Sequence, residues 1–245
     1  RLKSMNPARV EPSANHLLAA MPKAVWQRWG LALDPVHFEL GQVLCESGCE
    51  QSHVFFPTTA VVSLLYVTRN GDSAEIAVIG HEGIVGTSLY MGGGPSPSRA
   101  VVQSAGEGYR LNAPTLRQAF DSGGVLPQVL LRYTQALIVQ MCQTAVCNRH
   151  HSLDQQLCRW LLVHLDRLEG SEIVMTQELI ANMLGVRREG VTGSALKLQN
   201  AGLIRYARGH IHVLNRQGLE ARTCECYGVV RREYDRLLPA ASMAA

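Results

Sequence analysis

Between residues 36 and 112 the apolar positions come in short runs: VHFEL, VLCES, HVFFP, AVVSLLYV, SAEIAVIG, RAVVQSAGE and GYRL. Gly, Asn, Asp and Pro separate them at spacings of about ten residues, which predicts an all-β barrel or roll. Within VVSLLYVTRNGDSAEIAVIG, two such runs flank Asn70-Gly71-Asp72. That is a hairpin signal, because Asn-Gly accepts the positive φ angles of a tight turn. Helical runs over 14–33 precede the strands.

The period then changes. Pro114 opens a short helix through LRQAF, and after a break at Ser122-Gly123-Gly124 a long helix is expected over 126–147. Leu126, Leu130, Tyr133, Leu137, Met141 and Thr144 fall at alternating helical steps and form one continuous stripe. Ile138, Met141 and Ala145 make a second. One stripe can cover the β domain while the other meets a symmetry mate, as in a two-stranded coiled coil; the first stripe is taken as the dimer interface. A single core helix with no dimer is the competing reading. Further on, SLDQQLCRWLLVHLDRL predicts a helix with Leu157, Leu161, Leu162 and Leu165 inside and Asp154, Arg159 and Asp166 on its polar side. A hairpin, YARGHIHVLN, and a last helix over 216–238 follow.

The stretch TQELIANMLGVRREGVTGSALKLQNAGLI, residues 176–204, holds two short amphipathic runs around one glycine. Thr176 can cap a helix whose Leu179, Ile180, Met183 and Leu184 form an apolar face, and Gly185 supplies the left-handed residue that ends it. A second helix begins near Arg187 or Arg188 and buries Val191, Ala195 and Leu198. Ala181 is small where the two helices pass. This is the pattern of a helix-turn-helix. The second helix exposes Arg187, Arg188, Glu189, Thr192, Gly193 and Lys197, and a helix fits the major groove of B-DNA with its first turns at the base edges. Arg188 suits a guanine and Glu189 a cytosine amino group. Thr176, Gln177 and Lys197 are placed for phosphates. Arg205, Arg208 and His210 in the following hairpin can add a wing. The alternative is an ordinary helical hairpin with a solvated charged face.

Composition narrows the field. A chain of 245 residues with 47% hydrophobic and 18% charged residues supports a core and suggests two domains. Net charge is only +3, so the chain does not coat nucleic acid by bulk charge. The excess gathers over 171–216, where Arg187, Arg188, Lys197, Arg205, Arg208 and Arg216 face Glu172, Glu178 and Glu189. No apolar run reaches the roughly 18 residues of a membrane span, and residues 1–20 lack the pattern of a signal peptide, so the expectation is a cytoplasmic protein with no membrane partner. Arg1–Ser4, ahead of Met5, read as an extension outside the fold. Seven cysteines, at 45, 49, 142, 147, 158, 224 and 226, contain no CxxC pair and read mostly as buried small hydrophobes. A metal or redox cluster requires several of them to converge from different elements, and no metal or cofactor is expected. His150, His151 and Asp154 suggest an enzyme only weakly, since adjacent helical residues diverge by about 100°.

At these residues the chain resembles the Crp/Fnr superfamily of bacterial transcription regulators. LGQVLCESGCEQSHVFFPTTAVVSLL is similar to that family's first β-roll segment, GHEGIVG to its central Gly-rich turn, 126–147 to its dimer helix and 176–204 to its winged helix-turn-helix. The resemblance implies an α+β chain: a jelly-roll-like β-roll sensor at 13–124, a dimerisation helix at 125–149 and a winged helix-turn-helix at 150–240. It implies a homodimer, not an enzyme, that binds double-stranded DNA and contacts RNA polymerase. The family's base-reading Arg-Glu pair falls on Arg188 and Glu189, and its next Arg falls on Gly193, so a different operator is expected. For a small-molecule effector it points to Gly86, Thr87, Ser98, Arg99 and Ala100. Thr87 replaces the Glu that cyclic-nucleotide binders use for the ribose, which leaves a buried hydroxyl unmet at about 1–3 kcal/mol, so cAMP is not expected to bind. The cysteines are unlike the iron-sulfur branch; His53 and His81 are the residues a haem-binding regulator would offer. A metal- or haem-dependent redox regulator and an interaction module built on the long helix are the alternatives.

Overall fold

Residues 10–238 are described by the computed structural model, so Arg1–Ser4 and the end of the segment predicted to run to 240 lie outside the described residues. Two short helices, α1 (His16–Ala19) and α2 (Lys23–Trp29), lead into the strands. Buried Asn15 fixes their position: its side chain caps α1 at the Leu17 and Leu18 amides and donates to the carbonyls of Pro57 and Gly83.

The strands are β1 (Asp34–Phe38), β2 (Val43–Cys45), β3 (His53–Pro57), β4 (Val61–Val67), β5 (Ser73–Ile79), β6 (Arg99–Ser104) and β7 (Gly106–Asn112), with α3 (Ser88–Met91) before β6. They form two antiparallel sheets, ordered β1-β7-β3 and β2-β6-β4-β5. Phe38, Val54, Phe56, Val62, Leu64, Ile79, Val102 and Leu111 fill the space between the sheets, the expected roll. The β4–β5 hairpin forms with Val67 paired to Ser73, but of its connecting residues only Gly71 has positive φ, at 90°. A longer loop, closed by the Thr68 amide on the Asp72 carbonyl, replaces the two-residue turn read from Asn-Gly.

After α4 (Ala113–Asp121), capped by Asn112, comes α5 (Val125–His150), 26 residues or about 39 Å. Leu126, Leu130, Tyr133, Leu137 and Thr144, assigned above to the dimer interface, are all buried inside this one chain, and Met141 packs against the same core. That assignment is corrected: the stripe completes the core of the roll, where its large side chains pack against those of the strands. The opposite face carries Leu131 and Ile138, 53% and 49% exposed, with exposed Cys142 and Ala145 continuing the same spacing. Midway along α5, Gln140 is buried; its Oε1 accepts from the Val78 amide and its Nε2 donates to the Val78 carbonyl and to Tyr234.

The C-terminal part comprises α6 (Leu153–Leu165), β8 (Glu172–Val174), α7 (Gln177–Leu184), α8 (Arg188–Asn200), β9 (Ile204–Ala207), β10 (His210–Val213), α9 (Arg216–Arg222) and α10 (Glu225–Leu237). A capping box of Ser152 and Gln155 starts α6. Its core, around Leu157, Leu161, Ile180, Leu184, Val191, Leu198 and Ile211, continues onto Val61, Leu65 and Val78 of the roll. Two expectations change here. Arg159, read as polar-side, is buried and donates to Thr144. The single last helix is two, broken at Thr223, which is extended at φ −72° and ψ 165°.

Gly185 takes φ 65° and ψ 36°, as its place at the end of α7 requires. Gly185→Ala is expected to lower stability by about 1–2 kcal/mol, the left-handed penalty for an L side chain. The check is a lower urea midpoint at unchanged m-value.

Candidate nucleic-acid interface

Two short helices meet at Gly185 because the left-handed residue turns the chain at once, while Ile180, Ala181 and Leu184 on one side and Val191, Ala195 and Leu198 on the other bury a shared face. Thr176 caps α7 at the Leu179 amide, and α8 starts at Arg188 with Arg187 as an extended N-cap. The structure brings the predicted residues to one surface. Thr176, Arg187, Arg188, Glu189, Thr192, Gly193 and Lys197 are exposed, and Gln177 is half-buried. Neither Arg187 nor Arg188 is in an ion pair among the described residues. A Cβ built on Gly193 meets nothing within 4 Å, so that position is open.

Some of these side chains already have partners. Thr192 Oγ1 lies 2.6 Å from Gln177 Oε1 and 3.0 Å from the Arg188 carbonyl; donating its one hydrogen to the nearer Gln177 ties α7 to α8. Lys197 Nζ lies 2.9 Å from Asp154 Oδ2, and Ser194 donates to Oδ1 of the same carboxylate at 2.6 Å. The Ser194 bond, then Lys197, holds the Asp154 pKa below its usual value. Lys197, expected at a phosphate, is engaged with α6, and Arg216 of the predicted patch is bound to Asp166 and Glu220. Sequence reading missed Asp154 as this partner because the pair spans two helices. At the N-terminal turn of α8, Gly190 stands where a Cβ would come within 2.8 Å of Leu153 Cδ2, so α6 and α8 pack closely there.

The expected wing is the sheet β8-β10-β9. Ala207 pairs with His210, and the two residues between them, Arg208 and Gly209, have φ of 52° and 83°. Both central residues are left-handed, as a two-residue hairpin turn matching strand twist requires. Arg205 and Arg208 point to solvent, whereas His210 is bonded at 2.6 Å to Glu172, whose pKa that bond lowers. Tyr206 anchors the wing by donating to the Met175 carbonyl at 2.7 Å, and burial pushes its pKa up to about 12.

The residues proposed for an effector are arranged differently from a free anion site. Gly86 has φ 113°, and a Cβ there would meet Val54; Thr87 precedes α3. Ser98 and Ala100 are buried, the Ser98 carbonyl accepting from Ser96. Arg99 Nε lies 3.1 Å from Glu46 Oε2, although without hydrogen-bond alignment. A carboxylate thus already faces the guanidinium. Of the two histidines considered for haem, His53 shares a hydrogen bond with Ser52, and His81 stands edge-on to His16. Metal-ligating side chains do gather elsewhere: Cys147, His151, Cys224 and Cys226 converge from α5 and the start of α10. Reading the cysteines mostly as buried small hydrophobes, with no metal expected, missed this.

Residues 155–222 match the Crp-like helix-turn-helix domain and residues 35–122 the cyclic nucleotide-binding domain. No curated protein matches the chain significantly. Among solved structures, a Crp/Fnr-family protein from Eubacterium rectale aligns at 16% identity and TM-score 0.67, covering 84% of this chain and 96% of that one. FixK2 from Bradyrhizobium japonicum aligns at 14% identity and TM-score 0.65, over 78% and 98%. The regulator CLP of Xanthomonas campestris, described as responsive to c-di-GMP, aligns at 12% identity and TM-score 0.58, over 78% and 98%. At these identities the likeness is one of fold. No described helix is long and apolar enough to cross a membrane.

Proposed function

The chain belongs to the Crp/Fnr superfamily of transcription regulators, and on that premise we propose that it is a cytoplasmic homodimer reading a two-fold symmetric site in double-stranded DNA through α8. One observation carries this reading: Arg187, Arg188, Glu189 and Thr192 stand together on the exposed first turns of α8, with both arginines free of carboxylates among the described residues. Arg188 and Glu189 read base edges, while Thr176, Gln177 and the wing's Arg205 and Arg208 meet the phosphates. In this division 13–124 senses, 125–149 dimerises and 150–240 binds DNA. RNA polymerase is the partner by family. The sensed signal is a small molecule other than cAMP, a reading supported by Thr87 after Gly86 and by Glu46 beside Arg99.

Binding to random duplex DNA as a function of salt tests the reading. A DNA binder shows a steep negative log-log slope, whereas a protein-interaction module shows almost none. Sites selected from a random pool are then expected to be palindromes with half-sites about one helical turn, roughly 34–36 Å, apart.

The apolar face left over on α5 supplies the contact between copies. Leu131→Glu combined with Ile138→Glu places charges on that face. Sedimentation is expected to show monomers in place of dimers, with the helix content retained and a melting temperature that no longer rises with protein concentration. An unaltered mass refutes this contact.

A further inference from the structure

The break that divides the last helix turns Cys224 and Cys226 back toward the end of α5. There they meet Cys147, one turn before the helix ends, and His151 at its C-cap. The four potential ligand atoms lie within 4.8 Å of one another. Cys147 Sγ is 3.5 Å from Cys224 Sγ, and Cys226 Sγ is 3.6 Å from His151 Nδ1. A tetrahedral zinc ion with Zn–S of about 2.3 Å and Zn–N of about 2.0–2.1 Å has ligand-to-ligand edges of about 3.6–3.8 Å. These two separations match those edges, and the 4.8 Å that bounds all four atoms leaves no room for the several metal and sulfide atoms of an iron–sulfur cluster.

The surroundings are built for such an ion. With Nδ1 facing the thiols, the other ring nitrogen, His151 Nε2, is 3.3 Å from Glu225 Oε1, the carboxylate–histidine arrangement that orients metal-bound imidazoles. Gln156 Nε2 donates to the carbonyls of both Cys147 and His151 and so holds the two α5 ligands in place. Arg159 is 5% exposed, in no ion pair among the described residues, and its Nε has no hydrogen-bond partner. It donates to Thr144, one turn before Cys147 on α5, which places its charge beside the cluster. Three thiolates and a neutral imidazole around a divalent ion carry one net negative charge, and a buried guanidinium is its counter-ion.

We propose that Cys147, His151, Cys224 and Cys226 bind a single zinc ion, with Glu225 and Arg159 as positioning residues. The ion clasps the start of α10 to the end of α5, at the joint where the long helix passes into α6 and the DNA-reading domain. Binding deprotonates the three thiols and releases their protons to solvent.

The test uses the purified full chain and needs no DNA, so its failure is distinct from failure of the regulator reading. Elemental analysis is expected to find about one zinc per chain, and exchange for Co2+ to give the visible bands and thiolate-to-cobalt absorption of a tetrahedral sulfur-rich site. Cys224→Ser and Cys226→Ser should abolish that absorption. Cys49→Ser and Cys142→Ser, both exposed, should leave it intact. Glu225→Gln should weaken zinc binding about 10- to 100-fold. The proposal is overturned if wild-type protein yields neither zinc nor the cobalt spectrum, if it yields iron with acid-labile sulfide, if Cys147 and Cys224 are isolated as a metal-free disulfide, or if the spectrum survives in the Cys226→Ser protein.

Discussion

Arg188→Ala is expected to remove about 1–3 kcal/mol of discrimination at one base pair in each half-site. Two copies in a dimer raise the loss to roughly 2–6 kcal/mol, a fall of roughly 30-fold to 10^4-fold in affinity for the selected site. Binding to random DNA should change little, because phosphate contacts supply it. The prediction is sharp because the side chain has no internal duty. Arg188 is exposed and makes no ion pair among the described residues, so its removal should leave the fold and its melting temperature unaltered. Competition binding against single-base variants of the selected site measures the effect. Unchanged preference at every base pair refutes the assigned role.

The second large effect concerns pH. Glu75 on β5 and His164 on α6 are both buried, with Glu75 Oε2 3.7 Å from His164 Nε2 and Ser63 donating to the carboxyl. His164 Nδ1 lies 2.9 Å from the Trp160 carbonyl, so it carries the proton and Nε2 is bare. Burial pushes Glu75 from 4.5 up to about 7 and, in the same way, His164 from 6.5 down to about 3. The raised carboxyl contributes stability that is complete below pH 4.5 and lost as pH rises through 7. The depressed imidazole contributes stability that is complete above pH 6.5 and lost as pH falls through 3. Between pH 4.5 and 6.5 the two slopes oppose, and the pair leaves stability level. His164→Gln leaves Glu75 alone: stability is then expected to fall with rising pH from 4.5 to 7, by about 3 kcal/mol at about 1.4 kcal/mol per unit. Glu75→Gln should reverse the trend, with stability climbing by about 5 kcal/mol from pH 3 to 6.5. Urea midpoints from pH 3 to 7 measure both; parallel pH curves for the two variants and the parent would refute the account.

Much of the fold was legible because its signals are local. Turn residues between short apolar runs marked the roll, and Thr176, Gly185 and the apolar face between them marked the helix-turn-helix. What failed to show depends on distance along the chain. The stripe with the bulkiest side chains on α5 looked like the dimer contact, but periodicity states only that a stripe is covered, not by what, and the roll covers it. Arg159 looked solvated because charge usually is; its place beside Thr144, one turn before Cys147, rests on a contact between α6 and α5 that spacing does not show. Lys197 looked free because Asp154 is on another helix. Cys147 and Cys224 are far apart in sequence, and neither spacing nor composition marks the helix break that joins them.

Gln140 has a further consequence. β5 lies at the edge of its sheet, where an unpaired row of amides and carbonyls invites a strand from another molecule. The Gln140 side-chain amide answers the Val78 amide and carbonyl together, as a neighbouring strand would, and it also accepts no slippage, because Tyr234 is held by the same nitrogen. The long helix therefore covers this edge at Val78, while α7 packs against the same strand. Turning that helix about its axis would carry Gln140 away from Val78, so α5 and this strand are coupled through one side chain.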